Sequence, residues 1–110
     1  LVEGATRPLI CSGQTSVDGA GNPRHAGDMR AQLTLALDNL EAVLGGGAMG
    51  LADIVRLTLY TTDTAALMPN LDLLGQRFGA VGAAPPMTLL GVTALALPPL
   101  MVEIEATAVR

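Results

Sequence analysis

A chain of 110 residues, half of them hydrophobic, is long enough for one domain with a sizeable core. The formal net charge is −4, the basic residues are six arginines without a lysine, and the aromatics are Tyr60 and Phe78. An acidic balance with few aromatics disfavours nucleic-acid binding, and the absence of lysine excludes Schiff-base catalysis.

Cys11 and His25 are the single cysteine and the single histidine, which excludes an internal disulfide and a cysteine metal cluster. No apolar stretch approaches the roughly 20 residues that span a bilayer, and no signal-like segment opens the chain. We therefore expect a cytoplasmic protein without membrane contact, with one domain over residues 1–110. Because the chain begins at Leu1 rather than at a methionine, the sequence leaves open whether residues upstream complete a site.

The first half of the chain predicts a strand, a turn and a helix. Arg7–Gln14 is apolar and interpreted as a strand, and the turn residues of Asp18–Pro23 predict a hairpin with a short second strand. A helix is predicted from Asp28, which suits its positive end, to the glycines at 45–47. Its apolar stripe comprises Met29, Leu33, Ala36, Leu37, Leu40, Val43 and Leu44.

The second half predicts one more helix and three more strands. Ile54–Thr61 alternates as a strand, and Leu67, Leu71, Leu74 and Phe78 form a second helical stripe. Thr88–Thr93 and Met101–Val109 are interpreted as strands joined by a turn at Pro98-Pro99. Because each helix has a single apolar stripe, both helices should cover the same face of one sheet.

The last strand carries a possible acid–base group. Val102, Ile104 and their alternating neighbours suit the core, so Glu103 and Glu105 should project from the opposite face. These carboxylates are either a solvated strand face or groups in a cleft that transfer protons, and the sequence leaves both open. In the preceding strand, Met87 and Leu89 share one face, and either face of that strand suits the core.

Other polar residues are weak candidates for a site. Arg24 and His25 follow a turn and should be exposed, and one histidine without partners makes no catalytic triad. Cys11 lies in an apolar strand, which favours an inert buried thiol. The three glycines at 45–47 follow a helix instead of preceding one, so they form no phosphate-binding loop.

The chain as a whole resembles a known family. The features that carry the resemblance are Ile10–Gln14 (ICSGQ), Gln32 and Asn39 in the first helix, Pro85–Thr88 (PPMT), and Val102–Ala106 (VEIEA). In this order and over nearly the entire chain they resemble the Rid family, also called YjgF or L-PSP.

The resemblance implies an α+β fold of the chorismate-mutase-like type, with a mixed sheet backed by two helices on one face. It implies a homotrimer whose sheets pack around a shared axis, with three clefts between neighbours. Family deaminases hydrolyse reactive 2-imino acids to 2-oxo acids and ammonia without a metal or organic cofactor. Some members are described as ribonucleases acting on messenger RNA.

The resemblance also implies site residues, with departures from the family pattern. Glu103 matches the water-holding glutamate, Gly13 a glycine lining the cleft, and Asn70 a cleft asparagine. Met87 stands where deaminases carry an arginine that binds the substrate carboxylate, and Leu89 stands where many members carry a cysteine. Both changes make the cleft more apolar, and the sequence does not show which arginine, if any, replaces the missing one.

Two hypotheses follow from these matches and departures. The first is a trimer whose clefts bind a small, neutral or less acidic metabolite, with cofactor-independent hydrolysis or deamination of altered substrate range rather than standard 2-imino acid deamination. The second is a non-catalytic ligand-binding or interaction protein. Ribonuclease action is disfavoured by charge and composition. The sequence does not name the ligand or settle whether the protein is an enzyme, and loss of activity in Glu103→Ala would distinguish the two hypotheses.

Overall fold

A computed structural model describes residues 1–110 and shows one mixed sheet with its helices on one side. Four strands and three α-helices, with two short 3₁₀ turns at Leu51–Asp53 and Met68–Asn70, make up the fold. In chain order the elements are β1 (Pro8–Thr15), α1 (Met29–Gly46), β2 (Ile54–Thr61), α2 (Thr64–Leu67), α3 (Asp72–Gly79), β3 (Met87–Gly91) and β4 (Val102–Val109).

The strand order in the sheet is β1-β4-β2-β3. The inner strand β4 is antiparallel to both β1 and β2, whereas β3 runs parallel to β2 at the other edge. The α+β class predicted from the sequence is therefore confirmed, as is the mixed sheet backed by helices.

The core lies between α1 and the sheet. Six of the seven predicted stripe residues of α1 are buried and pack against Val102 and Ile104 of β4, whereas Val43 at the edge of the stripe is 37% exposed. Asp28 caps the helix, since its carboxylate accepts a hydrogen bond from the Ala31 amide at 3.0 Å.

Two local predictions were wrong. No second strand follows the turn at Asp18–Pro23; a single bridge joins Val17 to Pro23, and the Asp18 carboxylate orders the loop by accepting from the amides of Ala20 and Asn22. The second helical stripe is also not one helix. A 3₁₀ turn containing Pro69 separates α2 from α3, and Pro69 has no amide hydrogen with which to continue the hydrogen bonds of α2.

Candidate functional site

The sheet face opposite α1, called the outer face below, is polar and has no cover within the chain. Its apolar members at the two edges are open to solvent, with Ile10 73% and Leu90 45% exposed. The strand register places on this face Ile10 of β1, Glu103, Glu105 and Thr107 of β4, Arg56, Thr58 and Tyr60 of β2, and Thr88 and Leu90 of β3. Both predicted carboxylates therefore lie on the side away from the helices.

Gly13 and Glu103 are in close contact on this face. A register shift between Cys11 and Gln14 makes a bulge in β1, and Gly13 lies within it. A Cβ atom at position 13 would lie 2.5 Å from Cδ of Glu103 and 2.8 Å from each carboxylate oxygen. Only glycine leaves this space free, so the half-buried Glu103 side chain can rest against β1. The structure thus brings together two of the residues that the sequence proposed for one site.

No cation pairs with Glu103 inside the chain. Arg56 shares the outer face but pairs in register with Thr107, whereas Glu103 lies opposite Tyr60, about four residues or 13 Å further along β2. The ion pairs of the chain are Arg24–Asp18, Arg30–Asp72, Arg77–Asp38, Arg77–Glu41 and Arg110–Asp53. Arg7 donates to the Gly47 carbonyl at 3.0 Å.

Glu105 is held by a tyrosine. The Tyr60 hydroxyl donates to Oε1 of Glu105 at 2.6 Å. This bond to a carboxylate, which favours the protonated phenol, is the main reason that the pKa of Tyr60 is raised above its ordinary value. Tyr60 was not predicted as a site residue, because its bond to Glu105 joins two strands that are distant in the sequence.

Met87 and Leu89 lie on the other face of the sheet from Glu103. They pair in register with Leu57 and Leu59, which are buried under the helices. Met87 is 45% exposed at the edge and borders an apolar groove of about 320 Å³ between β3 and α3. Because β2 separates β3 from β4, a single chain does not bring Met87 or Leu89 to Glu103. These residues meet only if a second chain contributes one side of the site.

Asn70 lies in the helical layer. Its Oδ1 accepts from Arg30 at 3.2 Å and its Nδ2 donates to the Ala66 carbonyl at 3.0 Å. Arg30 in turn forms two 3.0 Å bonds to Asp72, and these hold the pKa of the Asp72 carboxyl below its usual range. Within one chain Asn70 therefore joins a link between α1 and α3 and is not part of the Gly13–Glu103 contact.

Two residues that carried the family resemblance are structural. Gln32 is fully buried, and its side chain bonds to backbone groups of the segment before β4. Asn39 donates to the carbonyls of Thr15 and Val17 at 2.8 and 3.0 Å, which fixes the end of β1 against α1. Both side chains satisfy backbone groups between elements.

The remaining candidates carry no site. Cys11 is buried, and burial raises the pKa of its thiol, as expected for an inert cysteine. Arg24 and His25 are exposed, as predicted. No group of three or more histidine, cysteine, aspartate or glutamate side chains is placed to hold a metal ion. None of the helices has the length and apolar character needed to cross a bilayer.

Comparison with known proteins agrees with this architecture. The family model described as Endoribonuclease L-PSP matches residues 2–110. Protein DfrA of Myxococcus xanthus is 34% identical over 105 residues, which cover 96% of this chain and 78% of DfrA. The crystal structure of YyfB from Yersinia pestis, a Rid family protein, superposes with a TM-score of 0.86 at 36% identity, over 96% of this chain and 80% of YyfB.

A further similar structure contains a ligand. TdcF of E. coli with bound serine has a TM-score of 0.85 and 26% identity, and the match covers all of this chain and 84% of TdcF. A mixed sheet backed on one side by helices is thus a fold that this chain has in common with Rid-type proteins. The chain belongs to the endoribonuclease L-PSP family, also called the Rid or YjgF family, which confirms the resemblance seen in the sequence.

Proposed function

We propose that this chain forms a homotrimer that binds a small neutral or weakly acidic metabolite in clefts between subunits. Glu103 is the proton-transferring group there, in a cofactor-independent hydrolase or deaminase whose substrates differ from the standard 2-imino acids. The observation that carries the proposal is the Glu103 carboxylate on an uncovered sheet face, fitted against Gly13 and paired with no cation.

The placement of the candidate residues supports a site between subunits. Glu103 and Met87 lie on opposite faces of one chain's sheet, so a shared cleft requires two chains. A neighbour packed against the outer face also covers the exposed Ile10 and Leu90, and burial of such apolar area favours association. The serine-bound TdcF structure supports the idea that a protein of this fold holds a small molecule.

The charges support a ligand without a full negative charge. An anionic ligand beside Glu103 meets a like charge, and close like charges cost several kcal/mol, on the order of a thousandfold in affinity. Met87 has no hydrogen-bond donor to offset this repulsion. A carboxylate can accept a proton from water as the water attacks a neutral amide or imine, and the resulting carboxylic acid can donate that proton to the leaving nitrogen.

The test combines a measurement of the particle mass with a screen for enzymatic activity. Light scattering on a size-exclusion column should report about three times the 11.2 kDa chain mass. Neutral imines and small amides are then screened for ammonia release by wild type, Glu103→Ala and the control Glu3→Ala, which changes an exposed glutamate of the N-terminal segment. We expect turnover in wild type and the control, and a loss of about a hundredfold or more in Glu103→Ala.

Two results would overturn parts of the proposal. A monomer at micromolar concentration removes the cleft between subunits. Stabilisation of wild type by a compound that is never turned over, and whose binding survives Glu103→Ala, identifies a non-catalytic binding protein instead.

A further inference from the structure

The outer face carries two opposite charges that do not meet within the chain. Arg56 and Glu105 border the same recess of about 150 Å³, yet they form none of the chain's ion pairs. The one side-chain hydrogen bond of Arg56 is a long contact of 3.4 Å to the Thr88 hydroxyl. Arg56 is therefore the arginine of this chain with neither an acidic nor a backbone carbonyl partner.

The Glu105 carboxylate is held in place by one hydrogen bond and can accept others. Its Oε1 accepts from Tyr60, which fixes the carboxylate above the outer face, while Oε2 forms no bond to a side chain of the same molecule. A carboxylate accepts several hydrogen bonds, and a guanidinium group offers five donors in a planar fork. The Arg56 guanidinium has no acidic partner and the Glu105 carboxylate is already held in place, so the two groups of this exposed face are suited to form an ion pair.

We infer that Arg56 of one copy forms an ion pair with Glu105 of the next copy around the threefold axis. The inference rests on the trimer proposed above and names the residues that hold it together. In a closed ring each copy contacts its two neighbours through different patches, so each gives its Arg56 to one neighbour and its Glu105 to the other. Ile10 and Leu90 supply the apolar part of the contact. The partner that covers the outer face is thus a second copy of this chain, because the face carries both the positive charge of Arg56 and the negative charge of Glu105.

This assignment also narrows the ligand class. Once Arg56 is engaged by a neighbour, every arginine of the chain has an acidic or carbonyl partner. No cation then remains to bind a substrate carboxylate beside Glu103. The ion pair between subunits therefore also explains the preference for an uncharged ligand, because Arg56 binds a neighbouring subunit instead of a substrate carboxylate.

A charge exchange tests the inference. The trimer's dissociation is measured by light scattering over a dilution series for wild type, Arg56→Glu, Glu105→Arg and the double variant, with Arg24→Glu as an exposed control in the loop between β1 and α1. Each single change places like charges together and should weaken the trimer about tenfold or more, whereas the double variant should recover most of that loss. The control should dissociate as wild type does.

Arg56→Gln keeps the test decisive if a charge reversal impairs folding. It removes the charge but keeps a polar side chain of moderate length, so its trimer should be weaker than wild type and less sensitive to salt, since one screened attraction is gone. If Arg56→Gln and Arg56→Glu both form trimers as stable as the wild-type trimer, this inference is overturned but the proposed trimer is not. A monomeric wild type would overturn the proposed trimer itself.

Discussion

Gly13 is the residue that gives the Glu103 carboxylate its position, because the space a Cβ atom would need at position 13 is already filled by the end of the Glu103 side chain. The bulge in β1 and the alternation in β4 converge on this contact. Gly13 therefore matters more for the position of the Glu103 carboxylate than for the stability of the fold.

Gly13→Ala should separate these two effects. The new Cβ displaces the flexible carboxylate to a less favourable rotamer, which costs about 0.5–1.5 kcal/mol of folding free energy. Ligand binding and turnover should fall much more than stability, since the carboxylate leaves its position. Gly45→Ala is the control: it lies in α1 with open space around it and should stabilise by roughly 0.4–1 kcal/mol. Unchanged activity in Gly13→Ala would show that the contact does not position Glu103.

The bond between Tyr60 and Glu105 predicts a measurable titration. Tyr60 is the sole tyrosine and the chain has no tryptophan, so tyrosinate absorbance reports this group alone. Its pKa should lie above that of a free tyrosine, about 10, and Glu105→Gln should lower it towards that value. Glu41→Gln, on the helical side of the molecule, should leave the curve unchanged. An identical curve for wild type and Glu105→Gln would contradict the bond.

The sign of the linked stability follows from the raised pKa. Because the protonated phenol is favoured in the folded state, its contribution is fully present below the unfolded pKa near 10. It is lost as the pH rises through the higher folded pKa. Wild type should therefore lose stability relative to Tyr60→Phe only in alkaline solution, and denaturant titrations at neutral and alkaline pH measure the difference.

Gln32→Leu should destabilise the fold without touching the site. The buried side chain donates to the Pro99 carbonyl at 2.8 Å and the His25 carbonyl at 3.2 Å, and it accepts from the Met101 amide at 2.8 Å. Leucine leaves the Pro99 carbonyl and the Met101 amide without partners, whereas the His25 carbonyl keeps its bond from the Asp28 amide. At about 1–3 kcal/mol for each buried group that loses its partner, we expect a loss of about 2–6 kcal/mol in chemical denaturation. Gln76→Leu, on the exposed side of α3, should change stability by less than about 1 kcal/mol. Equal effects of the two substitutions would contradict the role assigned to Gln32.

The sequence predicted those parts of the fold that have a clear period. The alternation in β4 assigned Val102 and Ile104 to the core and Glu103 to the opposite face, and the stripe in α1 predicted the buried leucines. Strand β3 is different, because Met87 to Leu90 has apolar residues on both faces and so gives no orientation. Its parallel pairing with β2 is a long-range contact that local pattern does not encode, and it placed Met87 on the helix side.

Met87→Arg tests how the two halves of the proposed cleft meet. Met87 lies on an edge strand and is 45% exposed, so an arginine there keeps its guanidinium in solvent and should leave the melting temperature within a few degrees of wild type. Wild type should not accelerate the conversion of 2-imino acids, generated by a dehydratase, to 2-oxo acids in competition with semicarbazide. If Met87 of one subunit faces Glu103 of another, the new cation supplies a carboxylate-binding group, and Met87→Arg should gain this activity.

Two controls make the gain of function specific. Met68→Arg introduces the same side chain at another exposed methionine, 54% accessible in the helical layer, and should gain no activity. Met87→Arg combined with Glu103→Ala should also be inactive, because the arginine binds the substrate but no group transfers the proton. A collapse of the melting temperature in Met87→Arg would mean that the side chain is packed core in the assembled protein. A stable variant with no activity, and no competition by 2-oxo acids for binding, would show that Met87 and Glu103 do not share a cleft.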